Sequence, residues 1–439
     1  MQMIDEDGNT ISWDYIQALN ELQMREGFHA ANKMRKQHVL FQKQIMKVRL
    51  ATQLLSASVA ESLDMCREKN IPGFENSAAT ARFIRVFNDL FDILNSRTMK
   101  AKGWKRPIAD FNCEDVWKFF ENAEKYIRNL RFADSTLVLK SRRKTGFLGF
   151  IICIRSIRHI YDLHVSPKSD FEYLTTYKIS QDHLELFFGA IRAKGGFNNN
   201  PSVRQFISAY KRLLVHAQFK SDGKGNCLSL SEINILTSSS SNRYISNINI
   251  STDRQKMNDN IHITQQVEFE DHDYFYDPSR LTEFAETIIE YIAGFVVRKI
   301  KKVLYCQICL DSLEKCSGNN TLTIIKNKGG LLFASQDVIK VCKTVERIIK
   351  QYLSIGLKQI GLPQYMLTII SKTLLNCDRL FGDLVQHSIN QWNRHRILLI
   401  KAIAEQYLKL RIHYMTKQLI QPEERVRNFL NKTILFKGQ

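Results

Sequence analysis

Apolar residues recur at helical spacing through most of the first half of the chain, and this periodicity restricts the fold more than any other feature. Between Ala79 and Leu94, aromatic and aliphatic side chains return every three or four residues, which places them on one face of a helix. Residues 45–65 repeat the pattern. Only four prolines interrupt residues 12–215, so few positions can break a helix. The sequence therefore predicts a mainly α fold.

The segment from residue 217 to 275 has a different composition. It contains a run of four serines and many asparagines, but few aliphatic residues. Such a segment buries too little apolar surface to offset the entropy lost on ordering, so we expect a flexible linker. Helical patterns return after it and end in a long helix at Ile397–Gln418, while Thr321–Phe333, around Gly329 and Gly330, favours an extended or turn structure.

The charge balance is strongly basic. The chain has 439 residues, and 63 Lys and Arg against 44 Asp and Glu give a formal net charge of +19. An excess of this size favours polyanionic partners, either nucleic acid or an anionic membrane, because phosphates attract it and release their counterions. A basic surface that serves only solubility, or an organelle protein, is the alternative.

Several functional classes are disfavoured by the sequence. No apolar run reaches the ~18 residues that a membrane span needs, and the most apolar stretch, Phe147–Ile154, is expected to be a buried segment. Nine cysteines without an N-terminal secretory signal are typical of a reducing, intracellular compartment. Phosphate-loop, dinucleotide-binding, nucleophile-elbow and zinc-protease motifs are absent from the sequence.

The segment Tyr177–His216 is the most informative one. Ser180 is a suitable N-cap for a helix whose first turns carry Asp182 and Glu185. A helical wheel places these two carboxylates opposite an apolar face that we expect to be buried, formed by Leu184, Phe187, Phe188 and Ile191. The pair is either a solvated helix start or a face that binds Mg²⁺, a cation that takes one or two carboxylates from protein.

The residues that follow, from Gly195 to Pro201 and on to Leu214, resemble the P-element transposase family and its THAP-domain relatives in animals. The resemblance continues at other segments: Ser12–Tyr15, Asn32–Met34, Met46–Val48, Ala51–Gln53, Ser56–Ala60, Phe91–Arg97, Lys144–Phe150, Tyr291–Gly294 and Leu435–Gln439. It extends over nearly the whole chain apart from the linker.

This resemblance implies a domain order. Members of the family have a zinc-dependent THAP DNA-binding domain, a dimerisation segment, an RNase H-like catalytic domain interrupted by a helical GTP-binding insertion, and a basic C-terminal domain. It implies an insertion domain at residues 1–168, the terminal helices of the RNase H-like domain at 169–216, the linker at 217–275 and a helical basic C-terminal domain at 276–439. The expected function is nuclear cut-and-paste DNA transposition by a homo-oligomer, with GTP and Mg²⁺ as cofactors and transposon ends and target DNA as partners.

The resemblance also assigns site residues. Glu185 matches the last of three carboxylates that hold the catalytic metals, and Asp182 is its acidic neighbour, near metal or nucleotide. The GTP site of the insertion matches seven further residues: Lys33, Lys47, Val48, Ser56, Phe91, Asp92 and Asn95. Lysines suit phosphate oxygens, and a carboxylate such as that of Asp92 accepts hydrogen bonds from guanine. Plain helix periodicity, with Phe91 in the core, is the alternative for the last three.

The family's two other catalytic residues are aspartates upstream of the insertion, and Asp5, Asp7 and Asp14 follow no strand that would make them equivalent. We therefore expect an N-terminally truncated transposase that is inactive alone. The alternative is a domesticated DNA-binding regulator of transposition without catalysis.

One further motif lies outside the resemblance. Cys306 and Cys309 form a CxxC pair, and His387 and His395 are available to complete a tetrahedral zinc site. Two buried thiols near a helix end explain the pair equally well.

Overall fold

The computed structural model describes residues 2–45, 47–165, 171–196, 198–215, 280–315, 318, 320–355, 362–375, 380–384, 387 and 395–415. They are mainly helical, which confirms the predicted fold class. The chain divides into a first compact unit, Met1–Tyr177 with Asp277–Gln439, and a second, Lys178–Tyr276. The predicted linker at 217–275, Met46 and the closing segment Leu435–Gln439 lie outside the described residues.

Fifteen helices carry the described architecture, and their boundaries follow the sequence pattern closely in most places. The helix expected at Ala79–Leu94 is present, whereas residues 45–65 form two helices that are separated at Leu55–Ser56. The helices are α1 (Asp14–Glu26), α2 (Lys36–Val39), α3 (Val48–Leu54), α4 (Ala57–Glu68), α5 (Ala78–Leu94), α6 (Cys113–Asn129), α7 (Lys144–His164), α8 (Asp182–Lys194), α9 (Val203–Val215), α10 (Glu283–Ile300), α11 (Gln307–Asp311), α12 (Thr321–Lys326), α13 (Gln336–Ile355), α14 (Leu362–Leu375) and α15 (395–415).

The described strands are short and all pair antiparallel. They are β1 (Gln2–Ile4), β2 (Thr10–Ser12), β3 (Ile108–Ala109), β4 (Arg131–Phe132), β5 (Tyr173–Leu174), β6 (Glu314–Lys315) and β7 (Phe333–Ala334). β1 lies between β2 and β4, β3 pairs with β5, and β6 pairs with β7. In the turn between β1 and β2 the Asp5 side chain accepts hydrogen bonds from the backbone N–H groups of Asp7 and Asn9, so Asp5 has a structural role.

One core in the first unit contains residues from both sides of the 217–275 segment. Leu19 of α1 and Leu63 of α4 belong to the same buried cluster as Ile289 of α10, Val345 of α13 and Tyr407 of α15. A second cluster lies between α5, α6 and α7. The N-terminal and C-terminal helices of this unit are therefore stabilised by each other.

Two local expectations were wrong. The first half of Thr321–Phe333 is helical, because the Asn320 side chain caps α12 by accepting from the Thr323 N–H, and the turn begins only at Asn327. The apolar run Phe147–Ile154 is not buried throughout, since Ile152 is 55% exposed. A helix turns by about 100° per residue, so an eight-residue apolar run extends around α7 whereas only one face packs against α6.

No helix among the described residues is long and apolar enough to cross a membrane.

Candidate functional site

The start of α4 is held by α5, and this contact places Ser56 beside the polar face of α5. Ser56 is the N-cap residue of α4, is 5% exposed, and its hydroxyl donates to the Gln53 carbonyl oxygen at 2.8 Å. The Asn88 side chain accepts from the backbone N–H of Ala57 at 3.1 Å. One of the N–H groups that α4 cannot satisfy internally therefore has its partner on α5.

Two half-buried carboxylates, Asp89 and Asp92, lie one helical turn apart on α5. Burial raises the pKa of both carboxyl groups, although neighbouring lysines oppose that rise. The Lys105 Nζ is 3.8 Å from the Asp92 Oδ2, and the charges of Lys33 and Lys328 also act on Asp92. We call these five residues the Asp92 cluster. The structure thus brings Lys33 and Asp92, both predicted site residues, into electrostatic contact.

The loop after α12 reaches this region from the C-terminal side of the first unit. The Lys326 side chain, at the end of α12, is 11% exposed; its Nζ donates to the Ala30 carbonyl oxygen at 2.8 Å and lies 3.9 Å from the Glu61 Oε2 on α4. Burial lowers the pKa of Lys326 and raises the pKa of Glu61. These contacts fix the loop that presents Lys328 to the Asp92 cluster.

Phe91 and Asn95 flank Asp92 at the end of α5. Phe91 is half-buried and belongs to neither of the two large core clusters, so the alternative that makes it a core residue has no support in the described part of the chain. Asn95 is the C-cap residue, and its Oδ1 accepts from the Arg97 guanidinium at 3.3 Å. Its amide is therefore positioned beside a cation.

Lys47 and Val48 lie at the exposed start of α3. The Lys47 Nζ donates to the Gln44 Oε1 at 2.9 Å, and the Val48 side chain is 57% exposed. A hydrogen bond of 3.0 Å between the His38 Nε2 and the Gln53 Oε1 ties α3 to α2. These two predicted residues are on a solvent-facing turn, whereas Lys33, Asp92 and their neighbours form a partly buried cluster.

A cavity of about 280 Å³ lies among α10, α12 and α15. Its described lining is mainly apolar and includes Phe28, Ile288, Tyr291 and Leu332, and it contains none of the predicted nucleotide-binding residues. The lining also includes three cations, Arg298, Lys326 and Arg411, of which Arg411 is paired with Glu346.

Glu185 and Asp182 occupy the first turn of α8 in the second unit. Glu185 is exposed and Asp182 is half-buried. The helix starts at Asp182 with Gln181 as its N-cap, so the expectation that Ser180 caps it was wrong by one residue. Negative charge at this position favours the helix because it interacts with the positive end of the macrodipole.

The apolar face predicted for α8 is covered only in part. Ile191 is buried against Ala209 and Leu213 of α9, with Phe187 packed beside them. In contrast, Leu184 is 58% exposed and Phe188 45% exposed, which corrects their assignment to the core. A single partner helix covers only part of a wide apolar face, and α9 covers the side that carries Ile191.

Three residues of the Asp92 cluster were missed from the sequence. Asp89 precedes Asp92 by three residues, so helical spacing alone could have identified it. Lys105 and Lys328 carried no such signal, because only the tertiary fold brings them to α5.

Comparisons with protein families match three segments of the chain. Three family models match: a TNP-like, GTP-binding insertion domain at residues 1–107, a TNP-like, RNase H C-terminal domain at 177–211, and the DNA transposase THAP9, C-terminal domain at 280–417. The Asp92 cluster apart from Lys328 lies within the first match, and Glu185 lies within the second.

The curated relatives include two transposases. The chain is 29% identical over 391 residues to DNA transposase THAP9 of Homo sapiens, an alignment that covers 84% of this chain and 42% of that protein. It is 26% identical over 323 residues to Transposable element P transposase of Drosophila melanogaster, covering 70% and 38%. The chain therefore spans about two fifths of each relative. Among solved structures, the Drosophila P element transposase strand transfer complex matches with a TM-score of 0.42 and 23% identity, over 49% of this chain and 47% of that one.

Proposed function

Because the chain belongs to the P-element-type transposase family, we propose that it binds GTP through its insertion domain and acts in DNA transposition. The observation that carries the proposal is the half-buried Asp92 among lysines, within the segment matched by a GTP-binding insertion domain. A buried carboxylate surrounded by cations suits a ligand that has hydrogen-bond donors at one end and negative charge at the other.

The residue types of the cluster fit guanine rather than adenine. Guanine presents N–H donors along its Watson–Crick edge, and the Asp92 carboxylate is an acceptor without a donor of its own when ionised. Adenine presents a ring acceptor at the equivalent position and would leave the carboxylate unsatisfied. We assign Phe91 and Asn95 to contacts with the base on the same helix end.

We assign the phosphates to the cationic side of the region. Lys33 and Lys47 supply positive charge, and the turn at Val48 and the start of α4 at Ser56 supply backbone N–H groups. Asp182 in the second unit is a proposed neighbour of metal or nucleotide. The side-chain chemistry and the charge balance of the described residues support this assignment of GTP to the region.

Calorimetry tests the nucleotide proposal directly. Asp92→Asn should weaken GTP binding at least about tenfold, on the order of 1.4 kcal/mol, because a charge-assisted hydrogen bond is lost, and should reduce the preference for GTP over ATP. Lys47→Ala should weaken GTP without changing that preference. Asp115→Asn and Lys118→Ala, on exposed positions of α6, are matched controls. Wild-type affinity in both test variants would exclude the pocket.

We propose DNA as the macromolecular partner and the nucleus as the place of action. The formal charge of +19 supports electrostatic binding to phosphates. Affinity for a labelled duplex, measured by anisotropy, should fall by ~0.9 log units per log unit of salt for each phosphate contact. A flat salt response would contradict electrostatic DNA binding.

Within the family's chemistry, Glu185 is the proposed Mg²⁺ ligand, and its exposed carboxylate offers the hard oxygen ligand that this cation prefers. The metal would stabilise charge on the attacking and leaving oxygens during strand cleavage and joining. The predicted domain boundaries and a homo-oligomer complete this proposal.

A second candidate function, a DNA-binding regulator without catalysis, is favoured by the same net charge, which would support DNA binding whether or not Glu185 takes part in catalysis. Glu185→Gln separates the two. In a preparation that joins transposon strands, this variant should lose joining while DNA binding is retained. A regulator would show the same DNA-dependent effect with either residue.

A further inference from the structure

Four metal-ligating side chains converge in the C-terminal part of the first unit, far from the Glu185 helix in sequence. Cys306 is the N-cap residue of α11, Cys309 lies within α11, and His395 lies at the start of the described part of α15. One ligand atom from each of these residues and from His387 lies within 4.8 Å of the others. Cys309 is buried and the other three are half-buried.

The distances match the edges of a tetrahedral site. The Cys306 Sγ lies 3.1 Å from the His387 Nε2, the Cys309 Sγ lies 3.6 Å from the His395 Nδ1, and the two nitrogens are 3.1 Å apart. Around zinc with Zn–S near 2.3 Å and Zn–N near 2.05 Å, the ligand atoms would be about 3.3–3.8 Å apart. Two of these three distances are slightly shorter than that range, and all four atoms lie within 4.8 Å of one another, so modest side-chain movements would let them accept the ion.

Hydrogen bonds alone account poorly for this arrangement. Each of the two imidazole nitrogens has a single directional site, either one N–H or one lone pair. Each nitrogen nevertheless has two close neighbours, a sulfur and the other nitrogen. A cation at the centre would use one lone pair from every nitrogen and one from each thiolate, so all four groups would be satisfied together.

We propose that Cys306, Cys309, His387 and His395 bind a structural zinc ion. Two thiolates with two neutral imidazoles suit zinc and are unsuited to Mg²⁺ or Ca²⁺, which prefer oxygen ligands. All four ligands come from the protein, and the two thiolates balance the charge of the ion. Such a closed site stabilises the fold and leaves no coordination position for a substrate.

The site would hold α15 against the core of the first unit. The backbone N–H of His387 donates to the Leu384 carbonyl oxygen at 3.1 Å, and Arg396, which follows His395, donates from its Nε to the Leu380 carbonyl oxygen at 2.7 Å. His387 and the residue next to His395 are therefore both connected to buried residues. Further along α15, the Arg411 guanidinium binds Glu346 of α13 through both carboxylate oxygens at 2.8 Å. Zinc would join the start of this helix to α11 and thereby fix its register on α13.

Metal analysis of the full chain tests the assignment. After exhaustive dialysis, elemental analysis should find one zinc ion per chain, and replacement by cobalt should produce the visible absorption of a tetrahedral thiolate site. Cys306→Ser and His387→Gln should each lose the stoichiometric metal. Cys153→Ser replaces an exposed cysteine on α7 and should retain it. No stoichiometric zinc in the wild type, or zinc retained in both ligand variants, would overturn the proposal.

Thermal unfolding shows whether a variant loses the metal because a ligand is missing or because the protein misfolds. His387→Gln, in which a half-buried side chain is replaced, should keep the helical circular dichroism of the wild type. A strong chelator should lower the Tm of the wild type and of Cys153→Ser but leave that of His387→Gln unchanged. An equal effect of the chelator on all three would also count against these ligands. None of these results depends on GTP or DNA binding.

Discussion

At the residue scale, Asp92 combines a proposed role in nucleotide binding with a cost in stability. Burial raises the pKa of its carboxyl group above the usual range despite Lys105, Lys33 and Lys328 nearby. A raised pKa in the folded state means that folding favours the protonated acid. The stabilisation that the protonated carboxyl group gives to the folded state is complete below the unfolded pKa of ~3.9. It is lost as the pH rises through the pKa of Asp92 in the folded state. At neutral pH the ionised side chain therefore works against folding.

We expect Asp92→Asn to raise the Tm of the ligand-free protein at neutral pH, since the amide needs no charge in the partly buried site. The difference between variant and wild type should narrow as the pH falls through the raised pKa of Asp92. Scanning calorimetry across this pH range measures it, with Asp115→Asn as the exposed control. A variant that is less stable than the wild type at neutral pH would show that the lysines outweigh burial. A stability gain combined with weaker GTP binding is the trade-off typical of binding sites.

The sequence predicted the part of this candidate site that is local in the chain. Helical spacing predicted α5, and the family resemblance placed Phe91, Asp92 and Asn95 on it. The ion pair with Lys105 and the field of Lys328 could not be predicted, because they depend on how a loop and α12 pack against α4 and α5. Periodicity reports which face of a helix is apolar and carries no information about which distant cation lies opposite.

At the scale of elements, α10 approaches the loop before β7 so closely that only glycine fits. A Cβ atom on Gly294 would lie 2.3 Å from the Leu332 carbonyl oxygen, a backbone atom that cannot rotate away. This contact gives a physical reason for the glycine in the Tyr291–Gly294 segment. The short strand β7 begins directly after Leu332, so the contact also fixes the position of the β6–β7 pair along α10.

Gly294→Ala should therefore lower the free energy of unfolding by ~1–3 kcal/mol, the usual cost of overpacking. Helix propensity alone predicts the opposite sign, a gain of about 1 kcal/mol. Gly149→Ala in α7 is the control, because its Cβ would meet no atom within 4 Å. Urea unfolding of both variants distinguishes the two effects. A gain in stability for both would mean that the loop yields easily.

The second unit shows where element-level prediction ends. The wheel of α8 correctly separated Ile191 and Phe187 from Asp182 and Glu185, and it wrongly assigned Leu184 and Phe188 to the core. The sequence pattern of α8 shows which of its residues are apolar, whereas their burial depends on how much of that face the partner helix covers. α9 alone is narrower than the apolar face that it contacts.

At the scale of the whole molecule, the first unit is held together by contacts between segments that are far apart in the chain. Glu26 at the end of α1 accepts from the Thr282 hydroxyl at 2.8 Å and lies 3.4 Å from the Lys350 Nζ of α13. Arg411 donates to the Gly27 carbonyl oxygen at 3.1 Å while it binds Glu346. These polar contacts border the shared apolar core and specify how the two halves fit together.

Two separate polypeptides, residues 1–216 and 276–439, should therefore copurify when they are expressed together, because each leaves part of the shared core exposed when alone.

Glu26→Ala removes one partner of a buried pair and leaves Lys350, whose side chain is 14% exposed, without its carboxylate. The cost of such a loss is on the order of 3 kcal/mol, about a hundredfold in Kd. Glu21→Ala, on the exposed face of α1, is the matched control and should leave the Kd unchanged. Independent monomers that do not associate would show that the halves fold separately, and equal affinities for both variants would show that Glu26 does not contribute to their association.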